Sequence, residues 1–266
     1  MFASLILSGY MLVVFCVALW KQDNSLVDTA YGIGFVLVTV LLFSRWENPL
    51  LRHSLLLWMV SLWGIRLAVR IRNKNYKKPE DFRYRAWRES WIKRSMLYFF
   101  FRSLIQIYLL QASIILLVLA PILIAFSQAI PLSLHFVNIL GCVLWGVGFF
   151  FEVVGDAQLD TFLKDPNNKG KIMMRGLWKY TRHPNYFGEA SMWWGIWLLV
   201  VDLPLGPFAI ISPILITWLL LKVSGIPMLE AKWQGNPEWE EYKRTTSAFF
   251  PWMPKKSILP SKPNLS

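Results

Sequence analysis

Seven apolar runs, at 2–20, 29–44, 51–70, 98–120, 134–154, 186–202 and 205–224, divide the 266-residue chain and leave few ways for it to fold. A helix needs about 20 mostly apolar residues to cross a bilayer. In lipid, every backbone polar group must be satisfied within a helix or a closed barrel. Runs of this length therefore predict an all-α, polytopic membrane protein with seven transmembrane helices. Composition agrees, with 55% hydrophobic and only 17% charged residues, against about 25% charged in soluble domains. The opening MFASLILSGYMLVVFCVALW lacks a basic n-region and a small-residue cleavage site, so it reads as the first membrane helix and not as a signal peptide. The second run is short and the third contains Arg66, which places both beside a polar cavity. Pro121 is expected to end or kink the fourth.

The loops alternate in charge. Segment 71–95 carries nine Lys or Arg and segment 155–185 carries six, whereas 127–133 and 202–206 carry none. Basic loops stay on the cytoplasmic side, which puts the N-terminus outside and the C-terminus in the cytoplasm. An odd number of spans requires the termini to lie on opposite sides, as this assignment has them. The same rule accounts for the net charge of +12, so no nucleic-acid partner is expected. Residues 1–254 read as a single seven-helix domain, and 255–266, rich in Pro and Ser, as a disordered tail. Cys16 and Cys142 lie within apolar runs and read as packing residues. Three dispersed histidines form no metal set, and there is no dinucleotide-binding GxGxxG, P-loop or nucleophile elbow.

Four polar constellations interrupt this pattern. RGLWKYTRHPNYFGE, at 175–189, runs directly into the apolar SMWWGIWLLV. Pro184 suits a helix start, and a helix beginning there sets Asn185 and Glu189 one turn apart on one face, continued by Trp193. Glu189 then lies about one turn inside the membrane, where an ionisable group requires a wet cavity or a partner. The helix N-terminus with Arg175, Lys179 and Arg182 attracts anions. An interfacial belt of aromatic and basic anchors would explain the Tyr, Trp and Arg residues, though not Asn185 or Glu189. In FFFEVVGDAQLDTFLKD, Glu152, Asp156 and Asp160 repeat every four residues and line one helix face. Like charges so spaced repel, so each needs its own donor, from a ligand or from neighbouring cations at a solvated helix end.

NKNYKKPEDFRYRAWRE, at 73–89, reads either as a lid over a cytoplasmic cofactor or as a surface loop that binds lipid headgroups. In SLVDTAYGIG, Asp28 and Tyr31 are three apart, as are Trp63 and Arg66 in the third run. A carboxyl in apolar surroundings can keep its proton and donate to a carbonyl. The alternative is an Asp28–Arg66 ion pair that fixes packing.

GLWKYTRHPNYFGE followed by WWG closely resembles the C-terminal domain of the steroid 5α-reductase family, in a bacterial branch known mostly as a domain of unknown function. DTAYGIG, WGIRL, EDFRY, the GDAQ helix and EYKRTTSAFFPWMP resemble the same branch, over roughly residues 25–254. The resemblance implies a membrane-embedded, NADPH-dependent reductase that transfers a hydride to the C=C bond of an α,β-unsaturated ketone of a lipid-soluble, steroid-like substrate. Residues 1–127 would form the substrate side and 134–254 the cofactor side. Cofactor-binding positions carried over are Asp156, Lys164, Lys171, Tyr180, Asn185 and Glu189, with Arg175 and, within RHPNY, Arg182, His183 and Tyr186. Asn185 and Glu189 would hold the nicotinamide carboxamide. The basic side chains would meet the phosphates and favour NADPH over NADH.

Steroid reductases hold the substrate oxygen with a Glu and a Tyr from the early helices. The nearest equivalents here are Asp28 and Trp63, with Arg66 three residues on, and Tyr31 is placed to supply the hydroxyl. These four are the expected catalytic set. RHPNY also occurs in isoprenylcysteine carboxyl methyltransferases, so with Glu230 it permits an S-adenosylmethionine-dependent methyltransferase, and a non-enzymatic lipid-binding protein is the third reading. The expected location is the bacterial inner membrane, with membrane lipids as partners.

Overall fold

The computed structural model describes residues 1–128 and 133–256. Among them every regular element is helical apart from one isolated β-bridge, Thr181 to Ser247. The chain forms two compact units. The first holds α1 (Phe2–Lys21), α2 (Leu26–Phe43), α3 (Leu51–Asn75), α4 (Phe82–Ile92), α5 (Met96–Val118) and α6 (Ala120–Ser127), together with the returning segment Leu199–Ser212. The second holds α7 (Phe136–Lys164), α8 (Pro184–Leu198), the part of α9 (Gly206–Ala231) from Pro213 on, and α10 (Pro237–Thr245). The tail expected at 255–266 lies, apart from Lys255 and Lys256, outside the described residues.

Among the described residues six helices, α1, α2, α3, α5, α7 and α9, are long and apolar enough to cross a membrane, which makes the chain a multi-pass integral membrane protein. The seventh expected span corresponds to α8, which has 15 residues. At 1.5 Å per residue it reaches about 22 Å, short of the ~30 Å hydrocarbon core. The apolar run to 202 is longer than its helix because residues 199–205 form a turn around Asp202 and Pro204. Helix α7 runs ten residues past its apolar run, since backbone hydrogen bonding continues into the polar segment and carries Glu152, Asp156 and Asp160 as helical residues. Pro121 acts as expected: the chain breaks at Leu119 (φ −75°, ψ 0°) before α6 begins.

Close glycine contacts join the long helices. In the first unit, a Cβ on Gly32 would fall 2.5 Å from the Gly64 carbonyl, so α2 and α3 touch backbone to backbone. Phe35 and Trp63 fill the space beside them, edge to face at 5.1 Å. In the second unit, a Cβ on Gly148 of α7 would lie 2.5 Å from the Gly188 carbonyl of α8, and one on Gly195 would lie 2.6 Å from the Gly141 carbonyl. Small residues at such spacing let helices approach closely where lipid supplies no hydrophobic drive.

Buried polar clamps fix the connections of the first unit. Glu80 accepts from the Asn24 backbone N–H at 2.9 Å and from Arg88 Nε at 2.9 Å. Tyr108 Oη donates to Asn24 Oδ1 at 3.1 Å. The segment before α4 is thereby pinned to the α1–α2 turn. Near the start of α3, fully buried Arg52 makes a bidentate pair with Asp202 at 2.8 and 2.9 Å and donates to the Ser133 carbonyl at 2.7 Å, the arrangement in which an Arg–carboxylate pair is strongest.

Candidate functional site

The helical pair α7–α8 brings buried polar side chains of two elements together in the second unit. Glycine contact at Gly148 and Gly188 brings the two backbones together, and this sets the α7 acids against the α8 N-terminus. Glu152 and Asp156 are each 4% exposed, while Asp160 is half-buried. Asn185, in the first turn of α8, donates from Nδ2 to Asp156 Oδ1 at 3.2 Å. A carboxylate only accepts, so this bond fixes the amide orientation. Asn185 Oδ1 is left buried with no hydrogen-bond partner among the described residues. A buried acceptor in that state is unusual and marks a place where a donor fits. Glu189, half-buried, follows one turn later.

The chain before α8 is locked from both sides. Gln158 Oε1 accepts from the Leu177 N–H at 2.9 Å, and Trp178 Nε1 donates to the Gly155 carbonyl at 2.9 Å. Arg182 Nε donates to Glu230 Oε1 at 2.9 Å, and Nη1 donates to the carbonyls of Thr246 and Lys243 at 2.6 and 3.2 Å. His183 Nε2 lies 3.0 Å from the same Glu230 oxygen, and its ring stacks on Tyr186 at 5.5 Å. Burial holds the His183 imidazole below its ordinary pKa, against the opposing pull of Glu230. Neutral His183 therefore donates from Nε2. The sequence placed Arg182 and His183 on a cofactor; the structure shows both gripping Glu230, a partner 47 and 48 residues away that no local pattern announces. Tyr180 is half-buried, and its carbonyl accepts from the Trp252 N–H at 2.9 Å. Lys164, Lys171 and Arg175 are exposed, at the end of α7 and in the loop beyond it.

The first unit has its own polar cavity of about 280 Å³, lined by Asp28, Tyr31, Lys74, Asp81, Arg83 and Gln111 among others. Asp28 sits in the first turn of α2. Its Oδ1 accepts from Tyr84 Oη at 2.7 Å and its Oδ2 lies 3.8 Å from Arg83. The cation set beside Asp28 is thus Arg83 of α4, where the sequence suggested Arg66. Burial first, and then the adjacent Asp28, push the Tyr84 phenol far above its usual pKa, so it keeps its proton at neutral pH. Of the four expected catalytic residues, Asp28 and Tyr31 meet at this cavity. Trp63 is buried in the α2–α3 seam against Phe35, and Arg66 is half-buried one turn further along α3. Sequence reading set Tyr84 in the 73–89 segment, as part of a lid or a lipid-binding loop, and not beside Asp28, 56 residues away.

Fold and site together define a multi-pass helical membrane protein whose polar side chains gather at helix ends. The chain belongs to the family described as a protein of unknown function (DUF1295), which matches residues 14–246. No curated protein and no solved structure matches it.

Proposed function

We propose that this protein is an NADPH-dependent reductase of an α,β-unsaturated ketone carried by a lipid-soluble, steroid-like substrate. Asn185 carries the reading. Its buried Oδ1 lacks a partner among the described residues and its Nδ2 is fixed on Asp156, which suits an acceptor for the N–H of a nicotinamide carboxamide. Glu189 offers a second polar contact one turn on. Exposed Lys164, Lys171 and Arg175 suit the phosphates. The motifs shared with steroid 5α-reductases support the same assignment, as does the order in which they occur.

NADPH, when bound, supplies the hydride, which goes to the β-carbon of the enone. The chain's part is to polarise the enone oxygen. Tyr84 retains its proton and donates it to Asp28 at 2.7 Å; with substrate bound, this O–H turns from Asp28 to the enone oxygen, and the pair replaces the Glu and Tyr of the steroid enzymes. A hydrogen bond to the oxygen stabilises the charge that develops as hydride arrives. Water or one of these groups then delivers a proton to the α-carbon. The proposal includes seven spans, with α8 crossing, an outside N-terminus, a cytoplasmic C-terminus and a bacterial inner-membrane location.

Binding of NADPH to the purified protein tests this, followed by enone-dependent NADPH oxidation. Asn185→Ala and Glu189→Gln should weaken NADPH binding about tenfold or more without loss of folding. Tyr84→Phe and Asp28→Asn should keep NADPH affinity and lower turnover roughly 10²-fold. Saturable S-adenosylmethionine binding without NADPH binding would assign a methyltransferase instead. Binding of neither, with Glu189→Gln silent, would leave a lipid-binding protein.

A further inference from the structure

The C-terminal segment after α10 folds back onto the start of α8. The Arg182 N–H donates to the Ser247 carbonyl at 2.9 Å, and the Trp252 N–H to the Tyr180 carbonyl at 2.9 Å. Phe250 lies 6.2 Å from Phe187, which is in the first turn of α8. These contacts hold FFPWMP level with the start of α8, where the polar RHPNY gives way to apolar sequence. Yet Phe250 is 67% exposed, and Trp252 and Met253 are each 75% exposed. Exposed aromatic side chains beside the start of an apolar helix are of the kind that settle among lipid headgroups.

Beside them is a pocket of about 410 Å³. Among the described residues its lining contains four cations, Arg182, Lys243, Arg244 and Lys255, and no carboxylate. Arg182 forms the floor, because its guanidinium is bonded to Glu230 and to backbone carbonyls. Lys243 reaches Glu240 at 3.2 Å in an exposed pair three residues apart on α10, and such a pair is weak, so an anion can draw Lys243 away. Arg244 is held by Glu241 in a bidentate pair at 2.9 and 2.7 Å, which keeps its guanidinium at the rim. Lys255 is exposed and anchored through its backbone N–H to the Thr245 carbonyl at 2.8 Å. Hydroxyl residues Thr245, Thr246 and Ser247 complete the rim.

We propose that this pocket seats the phosphate headgroup of an anionic phospholipid, with Phe250, Trp252 and Met253 lying in the bilayer beside it. Cations in a cup and apolar rings at its edge match the two halves of such a lipid. A free phosphate would use the cations alone and leave the rings without purpose. The inference does not depend on the reductase reading.

Native mass spectrometry of the delipidated protein, titrated with phosphatidylglycerol or phosphatidylcholine, tests it. Phosphatidylglycerol should bind more tightly and lose affinity at high salt. Lys243→Ala with Lys255→Ala should weaken it about fivefold per cation removed, leaving phosphatidylcholine unaffected. Trp252→Ala should weaken phosphatidylglycerol without changing the salt dependence. Lys255→Arg should retain binding, which separates lost charge from a misfolded segment. Equal affinity for the two lipids would overturn the proposal, as would inorganic phosphate competing at the concentration of the lipid. A double variant that loses NADPH and keeps phosphatidylglycerol would assign the pocket to the cofactor, and one that dissociates a dimer would assign the exposed rings to a second copy of the chain.

Discussion

Arg182, His183 and Asn185 stand within four residues of one another and have different fates. The first two turn toward Glu230 and brace the chain ahead of α8. Asn185 turns to Asp156 and leaves a buried oxygen open. The brace has a pH signature. Burial keeps His183 below its ordinary pKa of 6.5 in the folded protein, so below that pH the unfolded chain binds a proton that the folded chain refuses. Stability from this residue is thus fully present above about pH 6.5 and is lost as pH falls toward the lower folded value. Thermal melts between pH 5 and 8 should show that loss, and His183→Gln should flatten it. An unchanged slope in the variant would remove His183 as the titrating group.

At the scale of the helix, glycine decides whether the site exists. A Cβ on Gly188 would lie 2.6 Å from the Glu152 backbone nitrogen, and backbone cannot swing aside as a flexible side chain can. Gly188→Ala should therefore push α8 off α7, part Asn185 from Asp156 and destabilise the protein by about 1–3 kcal/mol. Gly146→Ala, on the same α7 but facing open space, should be neutral or slightly stabilising through helix propensity. Melting temperature and NADPH affinity measured on both variants check the argument; equal effects would mean that the close contact is unimportant.

The scale of the whole molecule is set by how many helices cross. Helix α8 is about 22 Å long and begins in the polar RHPNY, so it crosses only if the turn at 199–205 completes the passage. In a background of Cys16→Ser and Cys142→Ala, single cysteines replacing Lys171 and Leu205 should react with an impermeant thiol reagent from opposite sides, Leu205→Cys from outside. Glu47→Cys should label with Leu205→Cys, and Lys78→Cys with Lys171→Cys. Labelling of Lys171→Cys and Leu205→Cys from one side would give six spans and a re-entrant α8.

The sequence by itself determined the helical, multi-pass class, the approximate limits of the long spans and the break at Pro121. These follow from local rules: an apolar run of sufficient length must satisfy its own backbone, and a proline interrupts that pattern wherever it falls. The i, i+4 spacing likewise made it legible that Asp156 shares a face with Glu152 and Asn185 with Glu189. Only the tertiary structure decided the partners. Asp28 meets Tyr84 and Arg83 instead of Arg66, His183 and Arg182 share Glu230, and α8 stops at Leu198. Side chains dozens of residues apart meet only after helices pack, and no period in the chain encodes which donor reaches which acceptor. The proposed cofactor role of Asn185 depends on those pairings, because its bond to Asp156 leaves Oδ1 an open acceptor.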